Sequence, residues 1–259
     1  MSQRVVIVTG ANSGIGFAIT KTLLEAGYNA AGIDLQIGQL SSLKSTYSDT
    51  LLPLTCDITD PMQVEQAVNQ VIDRWERVDI LVNNACLAYY TPLEERTVED
   101  IRREVEVNLF GALNMIRAVL PVMKKHGDGI IHNLSSGVGL TGFVGMTGYT
   151  ASKGAIESLS RTLALEFEPY GISVTIMHPP LTNTPSASGL GVPAQMMARA
   201  ADVGRNLARK IERRKPVITS DFQTALFIFM ARLFSRGLGR LFSRLTLAER
   251  EKQRVSAPQ

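Results

Sequence analysis

The chain has 259 residues, 45% of them hydrophobic and 20% charged, and two cysteines. That size and composition fit one large globular domain with an ample core, and they exclude a disordered chain and a disulfide-stapled scaffold. The net charge of +3 conceals an asymmetry: from Arg199 onward there are 14 Lys/Arg against 5 Asp/Glu, whereas the first 198 residues carry 13 and 19, so an acidic body is followed by a basic last quarter.

The sequence begins on "RVVIVT", a β-branched run with no basic-then-apolar leader before it, which points to a cytoplasmic body. Further short apolar runs, "NAAGID", "LLPLTC", "VDILVN", "GIIHNLS" and "GISVTIMH", read as strands. Between them lie stretches such as Met62 to Trp75, with Val64, Ala67, Val68 and Val71 at helical spacing. Strands separated by helices predict an α/β fold: a single Rossmann-type, doubly wound parallel sheet of about seven strands with helices on both faces.

The first strand runs into "TGANSGIG", with Gly10, Gly14 and Gly16 at the head of a helix. Glycines there permit a tight turn and close backbone approach to a pyrophosphate, over a helix N-terminus that favours negative charge; a purely structural turn has the same composition. Asp34 ends the second strand eighteen residues past Gly16. A carboxylate there accepts hydrogen bonds from an adenine-ribose diol and repels a 2′-phosphate, and neither Ser13 nor Leu35 is basic, so NAD is favoured over NADP. Asp57, in "TCDITD", serves either the adenine edge or a helix cap.

Asn108 falls inside a helix predicted around Val98 to Lys124, where asparagine is a mediocre helix former and calls for a reason. Ser136 follows the fifth strand, thirteen residues before Tyr149, which places both at the carboxyl end of the sheet. Tyr149 and Lys153 are four residues apart and share a helix face. A phenol is a poor base at neutral pH, but an ammonium about 4 Å away at an effective dielectric near 20 contributes roughly 4 kcal/mol, enough to lower its pKa by about 3 units. The three histidines, His126, His132 and His178, form no metal-ligand pattern, and no metal is expected.

Taken together, "TGANSGIG", "NNAC", "NLSSGVG", "YTASK" and "HPPLTNT" resemble the short-chain dehydrogenase/reductase family over roughly Arg4 to Thr184. The resemblance implies that Tyr149 is the general acid/base, that Lys153 lowers its pKa and holds the nicotinamide ribose, that Ser136 positions the substrate oxygen, and that Asn108 anchors a proton-relay water. It also implies cofactor contacts from Gly10, Asn12, Ser13, Gly14, Ile15 and Gly16 at the phosphates, Asp34, Asp57, Ile58, Asn83 and Ala85 on the adenosine side, and Pro179, Thr182 and Thr184 near the carboxamide. Two positions depart from the family pattern, Cys86 and Pro180, each standing where glycine is usual. The expected activity is hydride transfer between NAD(H) and a secondary alcohol or ketone, on a small hydrophobic or lipid-like substrate. An NADPH-dependent 3-oxoacyl or polyketide ketoreductase and a non-catalytic NAD-binding sensor are the alternatives. A homodimer is expected through helices around Val98 to Lys124 and Tyr149 to Pro169.

Residues 1–221 read as the catalytic domain, with 183–215 as a substrate lid closing on the last strand, "KPVITSD". Residues 222–259 read as an amphipathic basic helix. On a helical wheel Arg232, Arg236, Arg240 and Arg244 line one side, opposite Phe227, Met230, Phe234, Leu238, Leu241 and Leu245. Such a helix either packs on the body or a second subunit, or meets a membrane surface peripherally; without a recognisable module, nucleic acid is not an expected partner.

Overall fold

The structure is a computed structural model that describes residues 3–256 apart from 191 and 193, with side chains through residue 247. Its strands are β1 (Val5–Thr9), β2 (Asn29–Asp34), β3 (Leu51–Thr55), β4 (Ile80–Asn83), β5 (Gly129–Leu134), β6 (Ile172–His178) and β7 (Val217–Thr219). All seven pair in parallel in the order β3-β2-β1-β4-β5-β6-β7. The central strands read as unbroken apolar runs because both faces are covered. The order reverses between β1 and β4, paired with Val6 opposite Ile80 and Val8 opposite Val82. That reversal opens a crevice beyond their carboxyl ends, where open α/β sheets bind ligands.

The helices are α1 (Gly14–Glu25), α2 (Gly38–Ser41), α3 (Pro61–Trp75), α4 (Val98–Val105), α5 (Gly111–His126), α6 (Val138–Thr141), α7 (Thr147–Phe167), α8 (Ala200–Ala208), α9 (Phe222–Leu233) and α10 (Ser235–Ser256). On one face of the sheet Val68 and Val71 of α3, Met115 and Val119 of α5 and Phe167 of α7 join a single apolar cluster; on the other, Ile19 and Leu23 of α1 meet Val203 and Leu207 of α8. The ends of these helices follow from local chemistry. Asp60 accepts from the Met62 and Gln63 amides ahead of α3 with Pro61 in its first turn, and Thr97 and Asp100 form a reciprocal cap on α4.

The structure differs from the sequence expectation in three places. The helix predicted around Val98 to Lys124 is not continuous α-helix: a π-helical turn, Glu106–Phe110, joins α4 to α5 and contains Asn108. The excursion 183–215 divides in two. Its first part, a turn at Pro185–Leu190, stands over the crevice, and a short parallel pairing of Thr182–Asn183 with Ala198–Arg199 ties its base. Its second part, α8, belongs to the core, and it crosses α1 so closely that a Cβ on Gly204 would lie 2.4 Å from that of Ala18. The tail is two helices rather than one, broken at Phe234, and residues 257–259 lie outside the described residues.

His132, buried in β5, donates from Nε2 to the Ile211 carbonyl at 2.8 Å and pairs through Nδ1 with the Thr175 hydroxyl. Burial pushes its pKa down to about 4, the bond to Ile211 opposing and the Arg214 charge adding to the fall. The folded value lies below the unfolded one, so the neutral ring's contribution is complete above about pH 6.5 and is lost as pH falls toward 4, a change of about 3 kcal/mol. Thermal denaturation is therefore expected to show stability falling between pH 7 and 4, and His132→Gln to flatten that part of the profile.

Candidate active site

The crevice is a cavity of about 390 Å³ whose lining includes Gly10, Ser13, Gly14, Ile15, Asp34, Asp57, Ile58, Asn84, Ala85 and Thr184. Its floor is the glycine turn. Gly10 and Gly14 have φ of +62° and +55°, and a Cβ on Gly16 would sit 2.2 Å from the Gly10 carbonyl oxygen, so no side chain fits there without backbone movement. Ser13 precedes α1 in extended conformation with no side-chain cap, which leaves the first-turn amides pointing into the crevice. Thr184 approaches the turn from the opposite wall, its Cγ2 3.0 Å from where a Cβ of Gly14 would be. A narrow glycine cradle with free amides at a helix N-terminus fits a dinucleotide diphosphate.

Asp34 reaches this turn, its Oδ2 accepting from the Asn12 amide at 2.9 Å. The Asn12 side chain turns away from the crevice and accepts from the Gln39 and Leu40 amides, fastening α2. Asp57 forms a local turn, Oδ1 accepting from the amide and hydroxyl of Thr59, while Asp60 caps α3. Asn83 points into the sheet, its Nδ2 donating to Asn133 at 2.9 Å, because successive strand residues face opposite sides. It is the neighbour, Asn84, that lines the cavity and donates to the Thr9 and Gly10 carbonyls. Sequence reasoning missed Asn84, and the alternation of β4 was the signal available for it.

The reactive groups meet at the start of α7. Tyr149 is hydrogen-bonded to Ser136. The Lys153 ammonium lies 5.6 Å from the Tyr149 ring centre and donates to the Leu134 carbonyl at 2.8 Å. In the protein by itself the Tyr149 phenol is not lowered as the sequence implied: burial pushes it well above its ordinary value, the Cys86 thiol and Tyr90 phenol add to the rise, and the Ser136 bond only opposes it. Lys153 is buried too, and burial lowers its own pKa. A charge pair at that spacing lowers a phenol in a wet environment, whereas both partners here are desolvated.

Asn108 explains the π-helical turn around it. Its Oδ1 accepts from the Leu87 amide at 2.7 Å, and its Nδ2 donates to the Leu87 carbonyl at 2.8 Å and the Ser152 hydroxyl at 2.9 Å. Ser152 in turn donates to the Tyr149 carbonyl. One buried amide thereby holds the loop after β4 against the reactive turn of α7. Close by, Glu104 accepts from the Tyr89 amide and pairs with Arg96 at 2.6 Å, both side chains almost wholly buried. Gly148, beside Tyr149, leaves room for that carboxylate. One turn beyond Lys153, Glu157 meets His178 at 2.9 Å and Arg232 of α9 at 4.0 Å. Burial is the largest influence on Glu157 and opposes its ionisation, but the bond and charge of His178, with Ser135 and Arg232, together hold the carboxyl below its ordinary value.

Thr182 is buried, its hydroxyl donating to the Pro180 carbonyl at 2.6 Å, and Pro179 and Pro180 lead into it from β6. Among the described residues no group of His, Cys, Asp and Glu is arranged to hold a metal.

Comparison with known proteins bears on this site. A family model described as short chain dehydrogenase matches residues 4–192. A relative from Bacteroides thetaiotaomicron, named 3-ketodihydrosphingosine reductase, is 36% identical over 184 residues, 71% of this chain and 66% of the relative, so the match spans just under two thirds of that protein. Among solved structures, a short-chain dehydrogenase from Streptomyces avermitilis superposes with a TM-score of 0.79 at 29% identity over 100% of both chains. A 3-ketoacyl-(acyl-carrier-protein) reductase from Brucella melitensis, complexed with NADH, has a TM-score of 0.76 at 26% identity, over 85% of this chain and 95% of that one.

Removing the Asn108 amide leaves the part-buried Leu87 N–H and C=O without that partner, at a cost of up to about 1–3 kcal/mol each. Asn108→Ala is expected to lower the melting temperature and to weaken turnover more than an alanine at an exposed position of α4 does, as read by calorimetry and steady-state kinetics.

Proposed function

The chain belongs to the short-chain dehydrogenase family, and from that premise we propose that it is an oxidoreductase acting on CH–OH groups, moving hydride between NAD(H) and a secondary alcohol or ketone of hydrophobic, lipid-like character. The observation that carries this reading is the cluster of Ser136, Tyr149 and Lys153 beside a glycine cradle that admits a diphosphate. The bound nicotinamide supplies the hydride acceptor or donor. Tyr149 exchanges the proton of the substrate oxygen, taking it as the alcohol is oxidised and returning it as the ketone is reduced. Ser136 shares a hydrogen bond with that phenol and holds the same substrate oxygen. Lys153 keeps a cation behind the phenol and stabilises its deprotonated form, which burial alone disfavours.

Asp34 supports NAD as the cofactor. It lines the cavity with Leu35, and neither β2 nor the glycine turn supplies a cation to offset a 2′-phosphate; the lining cation, Arg103, comes from α4 together with Glu106. The substrate class is supported by the name of the Bacteroides relative. A ketoacyl reductase is the second reading, favoured by the likeness to the Brucella enzyme. Two copies pairing through α5 and α7 fit the exposure of Phe110 and Leu165 on that side. Residues 183–190 act as the lid, with Gly189 lying against Tyr90 across the crevice.

Tyr149→Phe is expected to reduce turnover by at least about a thousandfold while NADH affinity, followed by fluorescence titration, stays within a few-fold; full activity in that variant overturns the assignment. Oxidation should rise with pH, because the phenol must lose its proton, and Lys153→Met should carry the midpoint of that rise upward. NADH should bind at least about tenfold more tightly than NADPH, and Asp34→Ser should remove most of that difference, since a charge repulsion at close range is lost.

A further inference from the structure

The two C-terminal helices present apolar residues that the body does not cover. On α9, Thr224, Ile228 and Ala231 are buried, and Phe227 packs so tightly that a Cβ on Gly137 would lie 2.3 Å from its ring. The opposite side of α9 is Phe222, Leu226, Phe229 and Leu233, between 53% and 81% exposed. At 100° per residue these four fall within about 60° of one another. The same division recurs on α10. Gly239 rests against the Thr141 carbonyl and the Ser243 hydroxyl accepts from the Val144 amide, whereas Leu241 and Leu245 are both more than half exposed. Exposed apolar sides of this kind mark a place of interaction.

The charges say with what. Residues 222–247 contain four arginines and no Asp or Glu. Arg232 leans toward Glu157, but Arg236, Arg240 and Arg244 line an open groove of about 480 Å³ whose far wall is Phe143 and Val144. On the wheel of α10 these three occupy the flank between the body-facing side and the outward leucines. The rest of α10 adds Glu249 and Glu251 against Arg250, Lys252 and Arg254, so the two C-terminal helices carry a net positive charge. We propose that α9 and α10 form a docking surface for an anionic lipid bilayer. The Phe/Leu side enters the acyl boundary and the three arginines sit at headgroup level, as interfacial helices with apolar and cationic sides do. With 12 residues, α9 is too short to cross.

This surface adjoins the reactive groups. Phe227 packs on Gly137, next to Ser136, and the wall of the arginine groove continues through Met146 toward Tyr149. Docking therefore brings the site to the edge of the bilayer, where an apolar alcohol or ketone is concentrated. That consequence rests on the substrate class proposed above, but the docking does not.

Full-length protein sedimented with vesicles of phosphatidylcholine plus phosphatidylserine, and separately with phosphatidylcholine alone, tests the proposal. Binding to the anionic vesicles is expected to be at least about tenfold stronger and to weaken as salt is raised. Phe229→Ser with Leu233→Ser should reduce it at least about tenfold, and Arg236, Arg240 and Arg244 replaced together by Gln should abolish the preference for anionic lipid. NADH binding and the circular dichroism spectrum should be unchanged in both variants. The proposal is overturned if the protein stays in solution with anionic vesicles, or if the serine variant binds as well as the parent. It is equally overturned if sedimentation velocity shows that the serine substitutions break a larger oligomer into smaller ones, which makes the exposed apolar side a subunit interface.

Discussion

The close fit between the glycine turn and the loop after β4 is the constraint on which the rest of the site depends. Gly16 lies so near the Gly10 carbonyl that no Cβ fits between them, and Asn84 closes the same gap by donating to the Thr9 and Gly10 carbonyls. The Thr9 hydroxyl completes the junction by accepting from the Asn84 and Ala85 amides. These contacts tie the ends of β1 and β4 together where the strand order reverses, so the crevice has a fixed width and the α1 amides a fixed aim. A dinucleotide diphosphate is held by directional donors, and such donors are useful only where the backbone cannot drift.

A second set of interactions fixes the chemistry to that crevice. The inner side of α7 carries buried polar groups from Ser152 to Ser160, an arrangement that buried helices tolerate only when the groups are paired. Ser152 bonds Asn108, Lys153 bonds the Leu134 carbonyl, Glu157 pairs with His178, and Ser160 accepts from Asn133, which in turn accepts from Asn83. Four partners thus come from strand ends or from the π-helical turn. The helix bearing Tyr149 is therefore registered against the sheet by a ladder of hydrogen bonds rather than by apolar packing alone. Apolar packing tolerates small shifts, and hydrogen bonds of 2.8 to 2.9 Å do not. The π-helical turn is the local distortion that lets Asn108 reach both Leu87 and Ser152, which accounts for a polar residue of low helix propensity in the middle of a helix.

The burial that makes this ladder rigid also sets an electrostatic condition. Desolvation pushes the Tyr149 phenol up and the Lys153 ammonium down. The C-terminal helices add to the same neighbourhood from outside, Phe227 bracing the Ser136 loop and Arg232 approaching Glu157.

Much of this was legible in the chain alone. β-branched runs alternating with amphipathic stretches dictated a parallel sheet covered on both faces, because such strands cannot leave either face in water, and the glycine spacing marked where backbone had to approach a phosphate. The four-residue spacing of Tyr149 and Lys153 put them on one helix face whatever the surroundings. Tertiary structure decided what depends on neighbours distant in sequence: that Asn84 and not Asn83 lines the cavity, that Asn108 sits in a widened turn, that α8 is core while the segment before it covers the crevice, and that the tail is two helices. Its apolar residues were visible in the sequence, but periodicity defines only a helix's sides. Which side the body covers was settled by Gly239, Ser243 and Ala231, small enough to approach it, leaving Phe222, Leu226, Phe229 and Leu233 facing outward.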